Sequence, residues 1–145
     1  MKDNIVSIKN RKASYDYFFL RELVVGIELR GSEVKQIRKG KVSLVDSFCT
    51  IEGGELFARG VNIAATEEAF SHEPLRPKRL LAKKAEILKW QKEMEEGVTI
   101  VVKKIFTGER GLLKMEIALA RGKKNYDKRA SIKDKESKKE IQQYI

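Results

Sequence analysis

The sequence predicts a mainly β protein of the α+β kind: a small antiparallel barrel with short interposed helices and a basic C-terminal tail. Three observations carry this. Short runs of aromatic and β-branched residues recur between glycines. One longer segment repeats its apolar residues at helical spacing. After Ala120 apolar residues thin out while lysines and arginines accumulate.

Residues 14–29 hold Tyr15, Tyr17, Phe18, Phe19, Val24, Val25 and Ile27. With Gly26 inside the run and Gly31 after it, they read as two strands meeting near Val25-Gly26. Ser32 is suited to cap a short helix over 33–39, and Glu33 complements the helix dipole there. Gly40 suits the left-handed turn that ends helices. Strands resume at 46–51 and 55–63, joined by Glu52-Gly53-Gly54, a tight-hairpin signal. Residues 64–78 contain both prolines, Pro74 and Pro77, and read as a loop. The spacing of Leu80, Leu81, Lys84, Ile87, Leu88 and Gln91 predicts a helix over 79–95, closed by Gly97. Two last strands, 98–106 and 112–120, flank a loop at 107–111. The pattern fits a small barrel, among which the OB-fold is the commonest RNA binder; a sandwich fits it too.

Residues 121–145 carry nine Lys or Arg against four acids, so this stretch holds +5 of the chain's net +10. It has too few apolar residues to offset its own ordering entropy. Two units are therefore expected: a barrel over 1–120 and a tail over 121–145, disordered when free and ordering, as a helix, on a partner.

A chain of 145 residues suits one domain, and 31 basic against 21 acidic residues favour a polyanionic partner, nucleic acid before membrane. The single cysteine, Cys49, excludes an internal disulfide and a Cys-rich zinc site; within Ser-Phe-Cys-Thr-Ile it reads as packing. The single histidine, His72, excludes paired-His metal sites and most serine-hydrolase triads, and reads as an ordinary hydrogen-bonding loop residue. There is no phosphate loop, G-x-S-x-G or H-E-x-x-H pattern. The acid pairs Glu67-Glu68 and Glu95-Glu96 read as solvated surface. No catalytic residue, metal ligand or cofactor is expected, hence no enzyme. With no apolar run of signal or membrane-span length, a cytoplasmic protein without a membrane partner is expected.

Three basic clusters stand where RNA could be gripped. Asn10, Arg11 and Lys12 precede Tyr15 and Tyr17, whose rings suit either base stacking or strand core. Lys35, Arg38, Lys39 and Lys41 lie on or just after the short helix beside Glu33; taken alone they read as a solvated helix face. Arg76, Lys78, Arg79, Lys83 and Lys84 span the proline loop and the predicted start of the long helix. Together the clusters suit a folded RNA recognised through phosphates and shape.

The same residues carry a resemblance. Asn10-Arg11-Lys12-Ala13, Tyr17-Phe18, Gly31-Ser32-Glu33-Val34-Lys35 and Arg38-x-Gly40-Lys41 occur in order. Asp46-Ser47, the block His72-Glu73-Pro74-Leu75-Arg76-Pro77-Lys78-Arg79-Leu80-Leu81, and Ala120-Arg121-Gly122-Lys123-Lys124 with Tyr126-Asp127-Lys128-Arg129 follow. From about residue 8 onward the chain resembles the small protein B family, tmRNA-binding factors of ribosome rescue. The resemblance implies an OB-fold barrel that binds the tRNA-like domain of tmRNA (SsrA RNA) at its D-loop and elbow. It also implies delivery, with elongation factor Tu and GTP through aminoacylated tmRNA, to ribosomes stalled without a codon in the A site. The tail is then expected in the decoding centre of the small subunit and the empty mRNA channel. By matching position, Asn10, Lys12, Glu33, Lys35, Arg38 and Leu81 are expected on the tmRNA side, joined by the basic residues Arg11, Lys41, Arg76, Lys78 and Arg79. Gly122, Lys123, Lys124, Asp127, Lys128 and Arg129 are expected on the ribosome. A monomer is expected. Two positions depart from the family: Tyr126 stands where many members have His, and Val24 where some have an acid. A constitutive OB-like ribosomal or assembly protein is the alternative from another class.

Overall fold

The computed structural model describes residues 5–67, 71–94 and 97–124. The elements in chain order are β1 (Ser7–Lys9), α1 (Arg11–Asp16), β2 (Tyr17–Ile27), α2 (Gly31–Arg38), β3 (Val42–Ser43), β4 (Phe48–Glu52) and β5 (Glu55–Arg59). They continue with β6 (Asn62–Ile63), β7 (Lys78–Leu81), α3 (Lys84–Glu93), β8 (Val98–Thr107) and β9 (Leu113–Gly122). One sheet runs β1-β8-β4-β5-β7-β2-β9, and the additional β8–β9 pairing closes it into a ring. All its pairings are antiparallel. Closure decides between the barrel and the sandwich that the pattern also fitted, since a closed ring leaves no free edge between its first and last strands.

Residues 17–27 form one strand, not two. Gly26 is not a turn between strands but the place where β2 has partners on both sides, Lys114 on β9 and Leu81 on β7. A bulge between Phe19 and Arg21 bends this long strand around the barrel. The hairpin at Gly53-Gly54 forms as expected, with φ of 59° and 78° and Glu52 opposite Glu55. The expected strand over 55–63 breaks at Gly60. There φ is +72° and a Cβ would lie 2.4 Å from the Asp46 carbonyl oxygen, so only glycine fits. Beyond it, β6 leaves the barrel and pairs with β3.

The expected helix over 79–95 is two elements. Lys78–Leu81 is strand β7, alternating buried and exposed, with Leu80 inward. The helix itself is Lys84–Glu93 and buries Ile87 and Trp90, leaving Leu88 exposed. Leucines at 80 and 81 match helical spacing with Ile87, so periodicity extended the helix through a strand that only its neighbours β5 and β2 define. Helix α1 and the short strands β1 and β3 are not among the expected elements, and β6 is the end of the strand expected over 55–63; each is too short to show a period.

The interior is filled from every strand of the ring, with Ile100, Ile105, Met115 and Ile117 wholly buried and Ile37 of α2 closing one end. β8 carries apolar residues on both of its faces. Val98, Ile100, Val102 and Ile105 face the core, whereas Val101 packs outside with Ala118, Ala120 and Ala13 of α1. Cys49 is a core residue, and burial pushes its thiol above the ordinary value, which keeps it unreactive.

Candidate nucleic-acid interface

Asn10 caps α1: its Oδ1 accepts from the Ala13 N–H at 3.3 Å. Its Nδ2 donates to the carbonyls of Leu44 and Val102, both at 2.9 Å. At 7% exposure, Asn10 has both amide hydrogens used inside the fold. It pins α1 to β8 and to the turn before β4. Arg11 and Lys12 on the helix it starts are exposed, Lys12 lying 3.5 Å from Asp46. Tyr17 packs with Phe19 beside Ala13, so the strand-core reading holds for that ring.

Glu33 is wholly buried in the first turn of α2. Its Oε1 accepts from the Arg30 N–H at 2.7 Å, which caps the helix by the reverse half of a capping box. Arg76 donates to it through Nη2 at 2.5 Å and Nε at 3.2 Å, and Lys78 Nζ lies 4.0 Å away. Burial alone raises this carboxyl's pKa, but Arg76, the Arg30 N–H and Lys78 outweigh it and hold the group below its ordinary value. Lys78 is likewise wholly buried, donating to the carbonyls of Val61 at 2.9 Å and Pro74 at 3.3 Å. Burial pushes its ammonium down to about 8, against the pull of Glu33.

Ser32 is not the cap, because the helix begins one residue earlier. Its Oγ lies 2.8 Å from His72 Nδ1, and His72 Nε2 lies 2.9 Å from the Ile63 carbonyl. A carbonyl only accepts, so Nε2 carries the hydrogen and Nδ1 accepts from the Ser32 hydroxyl. Ser32 and Glu33 together fasten the proline segment to α2.

Part of the third basic cluster is therefore committed within the fold. Lys78 is buried, Arg76 is bound to Glu33, and Arg79 pairs on the surface with Glu28 at 3.2 Å and Glu55 at 3.3 Å. Of that cluster, Lys83 and Lys84 are the two exposed residues without an ion pair among the described residues. Asn10, Glu33 and Lys78 thus each make bonds inside the fold that hold the surface in place. A sequence shows a charge but not its partner across 43 positions, the separation of Glu33 and Arg76.

The second cluster, weakest in the sequence, is the one the fold presents. Lys35, Arg38, Lys39 and Lys41 are exposed on one side of α2, while Gln36 and Ile37 turn inward and Gln36 Nε2 holds the Ala65 carbonyl at 3.1 Å. A groove of about 470 Å³ runs between α2 and the following segment, walled by Lys35, Lys39 and Lys41 on one side and by Ala65, Thr66 and Glu67 on the other. At the far end of α2, Arg38 Nη2 donates to the Gly111 carbonyl at 3.3 Å, which brings the β8–β9 turn and its Arg110 beside the helix. Nothing in the sequence placed Arg110 there; a five-residue loop carries no long-range signal. Leu81 is 51% exposed on the outward side of β7, beside Gly26.

The start of the expected tail belongs to the barrel. β9 runs to Gly122, paired with Tyr17. The Lys123 N–H donates to the Asp16 carbonyl at 2.7 Å, and its ammonium lies 4.9 Å from the Phe18 ring centre and 3.2 Å from the Ser14 carbonyl. Lys124 is exposed; Tyr126, Asp127, Lys128 and Arg129 lie outside the described residues. Among the described residues no group of His, Cys, Asp or Glu could hold a metal ion, and no helix is long and apolar enough to cross a membrane.

A closed antiparallel barrel with a lysine- and arginine-faced helix on its rim is the build of a nucleic-acid-binding module. The chain belongs to the SmpB protein family, whose model matches residues 7–145. It is 44% identical over 140 residues to the SsrA-binding protein of Cytophaga hutchinsonii, covering 94% of this chain and 92% of that one. To the SsrA-binding protein of Thermosipho melanesiensis it is 45% identical over 139 residues, covering 94% and 95%. Among solved structures it is similar, with a TM-score of 0.69 and 38% identity over 84% of this chain and 86% of the other, to a chain described under "tmRNA-SmpB: a journey to the center of the bacterial ribosome".

Proposed function

We propose that this chain is a tmRNA-binding adaptor of trans-translation, which holds the tRNA-like domain of tmRNA and delivers it to ribosomes stalled on mRNA without a codon in the A site. The observation that carries the reading is the α2 face. Four basic side chains are exposed there, and the acid among them, Glu33, is buried and already neutralised by Arg76 and Lys78. Lysines and arginines so presented meet phosphates and release counterions, which positions a folded RNA by its backbone and shape. Arg11, Lys12, Lys83 and Lys84 add to the attraction, and Leu81 supplies an apolar contact beside β2. The membership of nearly the whole chain in the SmpB family, with relatives called SsrA-binding proteins, supports the same reading.

In this reading the residues after Lys124, with Tyr126, Asp127, Lys128 and Arg129, reach the decoding centre and mRNA channel of the small subunit. Elongation factor Tu with GTP joins through the aminoacylated tmRNA, and the adaptor acts as a cytoplasmic monomer without catalysis of its own. Sequencing the RNA that co-purifies with the full chain tests the core of it. One RNA of tmRNA type is expected; ribosomal RNA alone would favour a constitutive ribosomal protein instead. Binding of a tRNA-like-domain transcript is expected to weaken steeply with salt, with a logarithmic slope of several units. Reversal of Lys35 and Arg38 to Glu is expected to weaken binding while the melting temperature stays near that of the parent.

A further inference from the structure

We infer that Arg110, in the turn between β8 and β9, is a further nucleic-acid contact residue that extends the basic face of α2; the inference rests on the α2 reading above. Arg110 and Gly111 are the central residues of a tight turn, closed by the Leu112 N–H to the Glu109 carbonyl at 3.3 Å. Both have positive φ, 60° and 73°. A turn of this kind selects Asn, Asp or Gly at its first central position, since an ordinary side chain crowds its own backbone there. Arginine is a poor choice for the turn, and it is the only non-glycine residue with positive φ among the described residues. A residue held against its local preference points to a demand from outside the turn.

The surroundings say what that demand is. The turn is tied to the end of α2 by Arg38, whose Nη2 donates to the carbonyl of Gly111, the residue next to Arg110. The Arg110 side chain is exposed and has no hydrogen-bond or ion-pair partner among the described residues. Four other arginines are committed: Arg21 to Glu93, Arg59 to Glu52, Arg76 to Glu33, Arg79 to Glu28 and Glu55. A guanidinium one residue from the carbonyl that Arg38 holds extends the positive charge of the α2 face toward the turn. Its ligand class is the phosphodiester backbone of the RNA that α2 holds, which a planar fork of donors meets well.

The test separates charge from backbone. Arg110→Asn relaxes the turn, because Asn tolerates positive φ, and removes the charge. Arg110→Lys keeps the charge and the backbone cost. With the full chain and a transcript of the tRNA-like domain of tmRNA, Arg110→Asn is expected to melt no lower than the parent yet bind about threefold to tenfold more weakly, with the salt slope reduced by about one. Arg110→Lys is expected to stay within about twofold of the parent. Parent affinity and parent salt slope in Arg110→Asn overturn the inference. If the Lys35/Arg38 reversal weakens binding in the same assay, only Arg110 falls; if that variant also binds like the parent, the α2 reading itself fails.

Discussion

Glu33 shows how a charge inside a basic cluster changes meaning once its partners are seen. Its carboxylate neutralises Arg76 and Lys78 inside the fold. Coulomb's law alone would have Glu33→Gln tighten RNA binding by removing a negative charge; the buried pairing predicts destabilisation instead. Leaving Arg76 and Lys78 without their acid is expected to cost about 3–5 kcal/mol, read from urea unfolding at pH 7. Because the folded carboxyl titrates below its ordinary value of 4.5, its stabilisation is present above that pH and is lost as pH falls through the folded value. The parent–variant difference is therefore expected to shrink in melts at about pH 3 compared with pH 7. Lys78 has the opposite sense. Its folded pKa of about 8 lies below the ordinary 10.5, so between those values the unfolded chain binds more protons and stability rises with pH through that window. Lys78→Met is expected to abolish that rise. Asn10 makes the same point without charge. Asn10→Ala loses the cap and strands two buried carbonyls, a loss of about 2 kcal/mol or more. Asn10→Asp turns a carboxylate oxygen toward those carbonyls and is expected to be worse, although the two side chains have the same shape.

At the scale of elements, α3 and β7 divide what periodicity had joined. Ile87 and Trp90 are the face of α3 that docks on the barrel, whereas Leu88 is 55% exposed. Trp90→Ala is expected to cost about 3–5 kcal/mol and Leu88→Ala within about 0.5 kcal/mol, measured by thermal and denaturant unfolding. Equal losses would place the helix the other way round. The strands are cross-braced outside the barrel as well. Lys103 on β8 reaches Glu22 on β2 at 2.8 Å and Glu116 on β9 at 3.0 Å. Burial there lowers its pKa, but the two carboxylates outweigh burial and raise it. Helix α2 is braced at both ends, by Ser32 and Glu33 to the proline segment and by Arg38 to the β8–β9 turn. Its basic face is thus presented on a rigid mount.

For the whole molecule, the boundary between barrel and tail lies a few residues later than the composition suggests. The charge run begins at Arg121, but β9 continues through Gly122 and Lys123 is bonded to α1. A chain ending at Lys124 is expected to keep the parent's stability and RNA affinity and to fail in a reconstituted peptide-tagging assay. One ending at Ala120 is expected to be less stable as well, because it loses the last β2–β9 pairs. Normal tagging by the chain ending at Lys124 would overturn the role proposed for the residues after it.

By itself the sequence determined the class of the protein. Alternating strands, Gly53-Gly54, the helix-ending Gly40 and the ordered motifs from Asn10 to Arg129 all speak through neighbours in the chain, where period and turn chemistry act. It also determined the sign of the partner, since net charge is a sum and needs no coordinates. What only the tertiary structure decided is which charges are available. Glu33 and Arg76 lie 43 residues apart, Arg38 and Gly111 lie 73 apart, and such pairs form only when the ring closes. Burial in a low-dielectric interior gave Asn10, Glu33 and Lys78 a supporting role that the chain alone did not show. The same closure set Arg110, without an ion pair among the described residues, near the end of α2, because an ion pair is a property of distance in space and the chain records only distance in sequence.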